Sequence, residues 1–229
     1  MVEEDFQAWT AFPENRRYFN KLDFALRMGY DAGPTGVPIS KQGYYIIRPT
    51  YNLYGMGIGA SILYLDPKKD SKSMIELSYV PPGYFWCEYL HGTHFSIDLK
   101  REKNKWVPFS SMAGYHEDTN DLVKFEYWDK VENPQIYIPD FIHKEITKPK
   151  IINLESKGKN IFEVHLRSGN DHMWEYPIGT RVFPVWNKEN REDISHLPFV
   201  KNMNEDSFAY SASGRLHIVR LGYRVKLPE

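Results

Sequence analysis

The chain reads as an α+β protein dominated by antiparallel sheet. Three observations carry that reading. Only one segment has strong helical periodicity, most other apolar runs are short and rich in β-formers, and glycine and proline punctuate them.

The helix is expected from about Glu14 to Met28, where Phe19, Leu22, Ala25 and Leu26 recur at helical spacing and Gly29 is placed to end it. Asp31–Ser40 carries Gly33, Pro34, Gly36 and Pro38 and is expected to be a turn-rich connector. Strands follow at Tyr44–Arg48 and Ala60–Leu65, around a glycine-rich loop Tyr51–Gly59, with a charged turn at Pro67–Lys72. Pro81-Pro82-Gly83 precedes the apolar run Tyr84–Leu90. Phe95, Ile97 and Leu99 then alternate with Ser96, Asp98 and Lys100, the pattern of a strand with one wet face. Glu102–Lys150 is weakly patterned, with short helices expected near Asn120–Trp128 and Asp140–Glu145. Strands Ile151–Glu155 and Asn160–Arg167 flank a turn at Gly158, and Leu216–Val225 is a further strand.

A length of 229 residues allows one domain or two tightly joined lobes, and 41% hydrophobic with 26% charged residues argues against disorder. A net charge of -1 gives no reason to expect nucleic-acid binding. No apolar stretch is long enough for a membrane helix, and the acidic start Met1–Asp5 is unlike a secretory signal. Cys87 has no second cysteine to pair with and sits in an apolar run, which suits a buried core thiol in a reducing compartment. A soluble, cytoplasmic protein is the expectation.

Chemistry concentrates in Ile151–Arg167. In its second strand Phe162, Val164 and Leu166 are expected to point one way and Glu163, His165 and Arg167 the other. A three- or five-residue turn around Gly158 makes Glu155 a diagonal neighbour of Glu163, close enough for both to reach one divalent cation; a four-residue turn puts them on opposite faces. Two bare carboxylates that close repel, so such a pair implies a cation. A solvated amphipathic hairpin is the competing reading. In the loop, Gly55, Gly57 and Gly59 permit unusual backbone angles and close approach of a ligand, as in a hairpin closing over phosphates. A flexible hairpin without a ligand fits equally. The aromatic run Trp86–Leu90 with Glu88 suits an adenosine slot, and core packing explains its aromatics as well.

With these elements in order, the sequence resembles the ATP-grasp superfamily over roughly Asn20 to Arg167. Asn20-Lys21 matches a helix start carrying a phosphate-binding lysine, followed by a connector containing Pro38. Arg48-Pro49 before Gly55, Gly57 and Gly59 matches a Lys-Pro motif before a glycine-rich loop, with an arginine fork in place of the lysine point charge. Trp86–Leu90 matches the hinge strand that holds adenine, which implies nucleotide contacts for Glu88, Tyr89 and Leu90. Glu155, Gly158 and Glu163-Val164-His165-Leu166-Arg167 match a carboxylate, a glycine turn and Glu-x-Asn-x-Arg, with histidine replacing asparagine.

The resemblance implies two small lobes, about residues 14–85 and 86–186, with a nucleotide cleft between them and a C-terminal extension, 187–229. It implies Mg2+ at Glu155, Glu163 and His165, ATP phosphates at Lys21 and Arg48, and catalytic positive charge at Arg48 and Arg167. The reaction would be ATP-dependent ligation of a small carboxylate or peptide to an amine through an acyl phosphate. Only twenty residues precede Lys21, so the tail, a partner chain or a second copy would replace the N-terminal domain that the family usually carries. Two rivals stand beside this reading: a module that binds nucleotide or peptide without ligating, and a structural or interaction protein of the kind phages carry, with Phe208–Tyr223 as a contact surface. His91, His94, His116, His143 and His172 have no spacing that suggests a closed zinc site.

Overall fold

The segment with helical periodicity is two elements, and the reason is Asn20. The computed structural model describes residues 4–53, 59–67, 80–116, 125, 127–169, 174, 177–184, 206–210 and 216–220. Within it Pro13–Phe19 winds as a 3-10 helix and Lys21–Arg27 as α2. Asn20 between them is extended, and its side-chain oxygen accepts a 2.9 Å hydrogen bond from the Asp23 N–H, capping α2. Gly29 ends α2 with a φ of 81°. Its N–H donates to the Leu26 carbonyl and that of Tyr30 to Ala25, the pairing of a left-handed C-terminal cap. A further helix, α1 (Asp5–Ala11), precedes both; Glu4 and Gln7 close its first turn reciprocally. Three polar residues in its seven leave it little apolar periodicity to read.

Among the described residues, twelve strands form two antiparallel sheets. β1 (Ala32–Pro34), β2 (Gly43–Pro49), β3 (Ser61–Leu65) and β4 (Tyr84–Glu88) make a four-stranded sheet in the order β1-β4-β2-β3. Most of the eight-stranded sheet comes from β5 (His94–Glu102), β6 (Lys105–Tyr115), β7 (Tyr127–Val131), β8 (Ile151–Lys157) and β9 (Asn160–His165). β10 (Arg181–Pro184), β11 (Asp206–Tyr210) and β12 (Leu216–Arg220) complete it, in the order β11-β12-β10-β7-β6-β5-β8-β9. Helix α3 (Asp140–Glu145) coincides with the helix expected there.

Several elements depart from their sequence patterns. β1 lies inside the expected connector; Gly33 packs so closely that an added Cβ would stand 2.7 Å from the Trp86 ring. β6 escapes periodicity because Pro108 interrupts it. Leu99 pairs with Pro108 and Asp98 with Ser110, so Phe109 is an extra residue at a bulge, where a strand tolerates proline. Tyr127 and Trp128 belong to β7 rather than to a helix, and the rest of that expected helix, apart from Phe125, lies outside the described residues.

The helices cover one face of the large sheet. Ala8, Tyr18, Phe19, Phe24, Ile142 and Ile146 bury against Ile97, Leu99, Ile152, Leu154, Ile161, Val164 and Leu166. Helix α2 also serves the small sheet, where Ala25 packs with Phe85 and Cys87. Along β2, Tyr45 and Ile47 fill the opposite face of that sheet, which leaves Ile46 and Arg48 on the α2 side. Tyr30, just past α2, donates its hydroxyl to the Ile161 carbonyl of β9 at 2.7 Å and ties the two sheets together. Among the described residues, no helix is long and apolar enough to cross a membrane.

The β8–β9 hairpin depends on a backbone contact. Gly158 donates its N–H to the Thr93 carbonyl at 2.8 Å, and Gly92 has a φ of 116°. A Cβ on Gly92 would lie 2.9 Å from the Gly158 nitrogen, a backbone atom that has nowhere to move. Gly92→Ala should therefore destabilise the chain by about 1–3 kcal/mol, read as a lower urea midpoint at unchanged m-value.

Candidate functional site

A two-residue turn, Gly158-Lys159, pairs Lys157 with Asn160 and Ser156 with Ile161. Continued without interruption, that register would set Glu155 opposite Phe162. A bulge after Glu155 inserts one residue on β9, so Glu155 pairs directly with Glu163. The two carboxylates share a face, as one of the turn alternatives anticipated, but as immediate partners rather than diagonal ones. The bulge also corrects the expected alternation. Ile161, Val164 and Leu166 enter the core, while the Phe162 ring stands 5.3 Å from that of His94, beside the acidic pair. Nor is this face a solvated one: the Glu163, His165 and Arg167 side chains are only 11%, 7% and 5% exposed.

Cations converge on Glu163 from two other elements. Lys21 at the start of α2 places Nζ 2.6 Å from Oε1, and Arg48 of β2 places Nη1 3.3 Å from Oε2. Arg48 also donates from Nη2 to the Phe162 carbonyl at 3.2 Å. Burial alone would raise the Glu163 pKa, yet Lys21, His165 and Arg48 hold it below the usual value against repulsion from Glu155. The chain's own lysine and arginine thus answer the repulsion of the pair, so two close carboxylates do not by themselves demand a metal ion.

The nitrogen donors speak more directly. His165 Nδ1 lies 3.0 and 3.1 Å from the two oxygens of Asp5. Burial would raise the Asp5 pKa, but His165 and Arg167 drive it well below the ordinary range; an ionised carboxylate only accepts, so Nδ1 carries a proton. Nε2 then faces Glu155 Oε1 at 3.4 Å and Glu163 Oε1 at 3.5 Å, buried and hydrogen-bonded to neither. Glu155, Glu163 and His165 bring ligand atoms within 4.8 Å of one another, a donor set that fits a divalent cation.

Arg167 is committed elsewhere. Its Nε and Nη2 form a fork on Asp5 at 3.0 Å each, and Nη1 donates to the Ser168 carbonyl at 2.8 Å. Asp5 and His94 are the two members that sequence reasoning missed. His94 Nε2 sits 3.3 Å from Glu155 Oε2 outside hydrogen-bond geometry, and its ring meets Phe125, Trp128 and Phe162 edge-on. Its place just before the alternating Phe95, Ile97 and Leu99 was the one available signal, since it shares a face with Ser96 and Asp98. The expected wet face there is exposed at Lys100 but not at Asp98. Asp98 is buried and accepts from Asn153, the Gly169 N–H and Trp174.

The remaining expected contacts lie apart from this cluster. Glu88 donates its N–H to Asp31 and accepts the Asp31 N–H on its side chain, Tyr89 donates its N–H to Tyr44, and Leu90 follows half-buried. Gly59 has a φ of 82° and packs against Tyr84 and Pro49. Gly55 and Gly57 lie outside the described residues. Cys87 is buried and its thiol is pushed up to about 12 by desolvation, which makes it inert.

Solved structures that match this chain are ATP-grasp proteins. It superposes on the carboxyaminoimidazole ribonucleotide synthase from Aspergillus clavatus complexed with ATP with a TM-score of 0.51 and 10% identity, covering 93% of this chain and 70% of that one. The N5-carboxyaminoimidazole synthase from Aspergillus clavatus in complex with ADP and 5-aminoimidazole ribonucleotide gives 0.50 and 10%, with 97% and 76% covered. For an L-amino acid ligase from Bacillus licheniformis the values are 0.46 and 11%, over 73% of this chain and 45% of the ligase, so this chain spans less than half of that protein. No protein-family model and no curated protein matches the sequence. Likeness at such identities concerns the fold, which is α+β and ATP-grasp-like.

The Asp5–His165 pair sets a pH dependence in chelator-treated protein. Burial would lower the His165 pKa, but Asp5 raises it from 6.5 to about 10. Its contribution to stability is complete below pH 6.5 and is lost as pH rises through 10. Asp5 is depressed below 3.8, so its contribution is complete above that value and is lost as pH falls further. Melting temperature should peak between the two limits, and Asp5→Asn should flatten the acid limb and shift the alkaline decline to lower pH.

Proposed function

We propose that this chain, with its ATP-grasp-like fold, binds ATP as a divalent-metal complex where its two sheets meet and catalyses ligation of a carboxylate to an amine. The observation that carries the reading is the convergence of Lys21 from α2, Arg48 from β2, and Glu155, Glu163 and His165 from the β8–β9 hairpin. Two mobile-charge donors and a metal-ligand set in one place are what a polyphosphate needs.

Glu163 is the partner of both cations. Phosphate oxygens would take over Lys21 and Arg48, freeing Glu163 to join Glu155 and His165 as a ligand. Metal and nucleotide would then bind with positive linkage, since each relieves the charge left by the other. The metal would supply neutralisation of phosphate charge. Lys21 and Arg48 would hold the transferred phosphoryl group while a substrate carboxylate attacks it, giving an acyl phosphate and ADP; the amine would then displace phosphate. Arg48 offers a planar fork rather than a point charge, which suits two oxygens of one phosphate.

The fork of Arg167 on Asp5 favours a second reading, a nucleotide-binding module without transfer, because that arginine is already neutralised. The two synthases are complexed with ATP and with ADP and aminoimidazole ribonucleotide, which supports a nucleotide and a small-substrate partner here.

Phosphate release from Mg-ATP, measured across pools of amino acids and peptides, should rise with one class of substrate. Glu163→Gln should lower that release by about a hundredfold or more while leaving the fold intact by circular dichroism. Retained release in this variant would remove Glu163 from the site. Mg-ATP at a hundred times its Kd should stabilise the wild-type chain by about 3 kcal/mol; stabilisation without phosphate release under any substrate would select the binding module.

A further inference from the structure

The site offers a nitrogen where a magnesium site would use oxygen, and its surroundings present that nitrogen deliberately. His165 Nε2 is buried, makes no well-aligned hydrogen bond among the described residues, and points between Glu155 and Glu163 at 3.4 and 3.5 Å. Its orientation is not left to the ring. Asp5 accepts the Nδ1–H hydrogen bond with both oxygens within 3.1 Å, and Arg167 holds Asp5 with two 3.0 Å bonds. A carboxylate that fixes the ring plane readies an imidazole to ligate once a dication displaces the Nε2 proton that the surrounding carboxylates hold on His165. The second nitrogen at the pair, His94 Nε2, stands against the other oxygen of Glu155 and also lacks a hydrogen bond.

Mg2+ prefers an all-oxygen shell and surrenders its waters reluctantly, so an imidazole adds little for it. First-row transition dications gain from an imidazole, and Mn2+ also accepts carboxylates, water and phosphate in an octahedral shell. We infer that the Glu155–Glu163–His165 site takes Mn2+ in preference to Mg2+, with Asp5 as the positioning residue that presents His165. This rests on the metal site proposed above and narrows its metal.

The test uses the full chain, treated with chelator and free of nucleotide, so that it does not depend on ligase activity. Mn2+ is titrated in and followed by electron paramagnetic resonance, and pulsed spectra are searched for coupling to a histidine nitrogen. The bound ion should show that coupling, and half-displacement should require at least about ten times more Mg2+ than Mn2+. His165→Asn should lose the coupling and narrow the preference. Asp5→Asn should weaken Mn2+ binding by about ten- to a hundredfold. Bound Mn2+ without nitrogen coupling in the wild-type chain, a spectrum that needs no variant to interpret, would overturn the inference and leave the carboxylate site and the ligase reading standing. Coupling or preference unchanged in His165→Asn would overturn it too. Failure of the wild-type chain to bind either ion would remove the metal site itself, and with it the metal part of the nucleotide reading.

Discussion

Glu163 is a carboxylate buried in the face of a sheet, and the rest of the site follows from making that burial tolerable. Withdrawing an ion from water costs several kcal/mol, which only good geometry and opposite charge offset. The charges come from α2 and β2, elements that belong to different layers. Helix α2 must therefore lie between the sheets with its first residue at the acidic pair, and β2 must end its α2-facing row on Arg48. The break at Asn20 has its consequence here. A helix continuous from Pro13 would lack the cap that starts a new one at Lys21.

A second ionic layer stands behind the first. Asp5 joins His165 and Arg167, so α1 is fastened to β9 and the segment beyond it by charge as well as by packing. Such a density of buried charge is poor value as a stabilising device, since well-packed apolar side chains of similar size would serve as well or better. Strongly shifted titrations grouped at one place are more characteristic of a site that handles charge. The large sheet keeps the two demands apart: its helix-covered face is apolar, and its other face holds Glu155, Glu163, His94 and Asp98.

Much of the fold was legible because short-range rules govern it. Period-two alternation located β5 and β9, and Gly29 marked the end of α2. Elements that break those rules were not legible. Pro108 and the bulge at Phe109 disguised the longest strand, β6, and three-residue β1 looks like a loop because it borrows its definition from β4. In α1 the informative residue, Asp5, is polar at a position where polarity normally means solvent.

By itself, the sequence determined which chemical groups were at hand: the two carboxylates flanking a glycine turn, the histidine and arginine alternating behind the second, and the cations at Lys21 and Arg48. Only the tertiary structure decided how they meet. Side-chain alternation is a property of one strand, whereas pairing across strands depends on a two-residue turn and a single bulge, and one residue of slip would have set Glu155 against Phe162. The partner of His165 lies 160 residues away in the chain, a separation that no local pattern encodes and that folding closes through the packing of helices on the sheet.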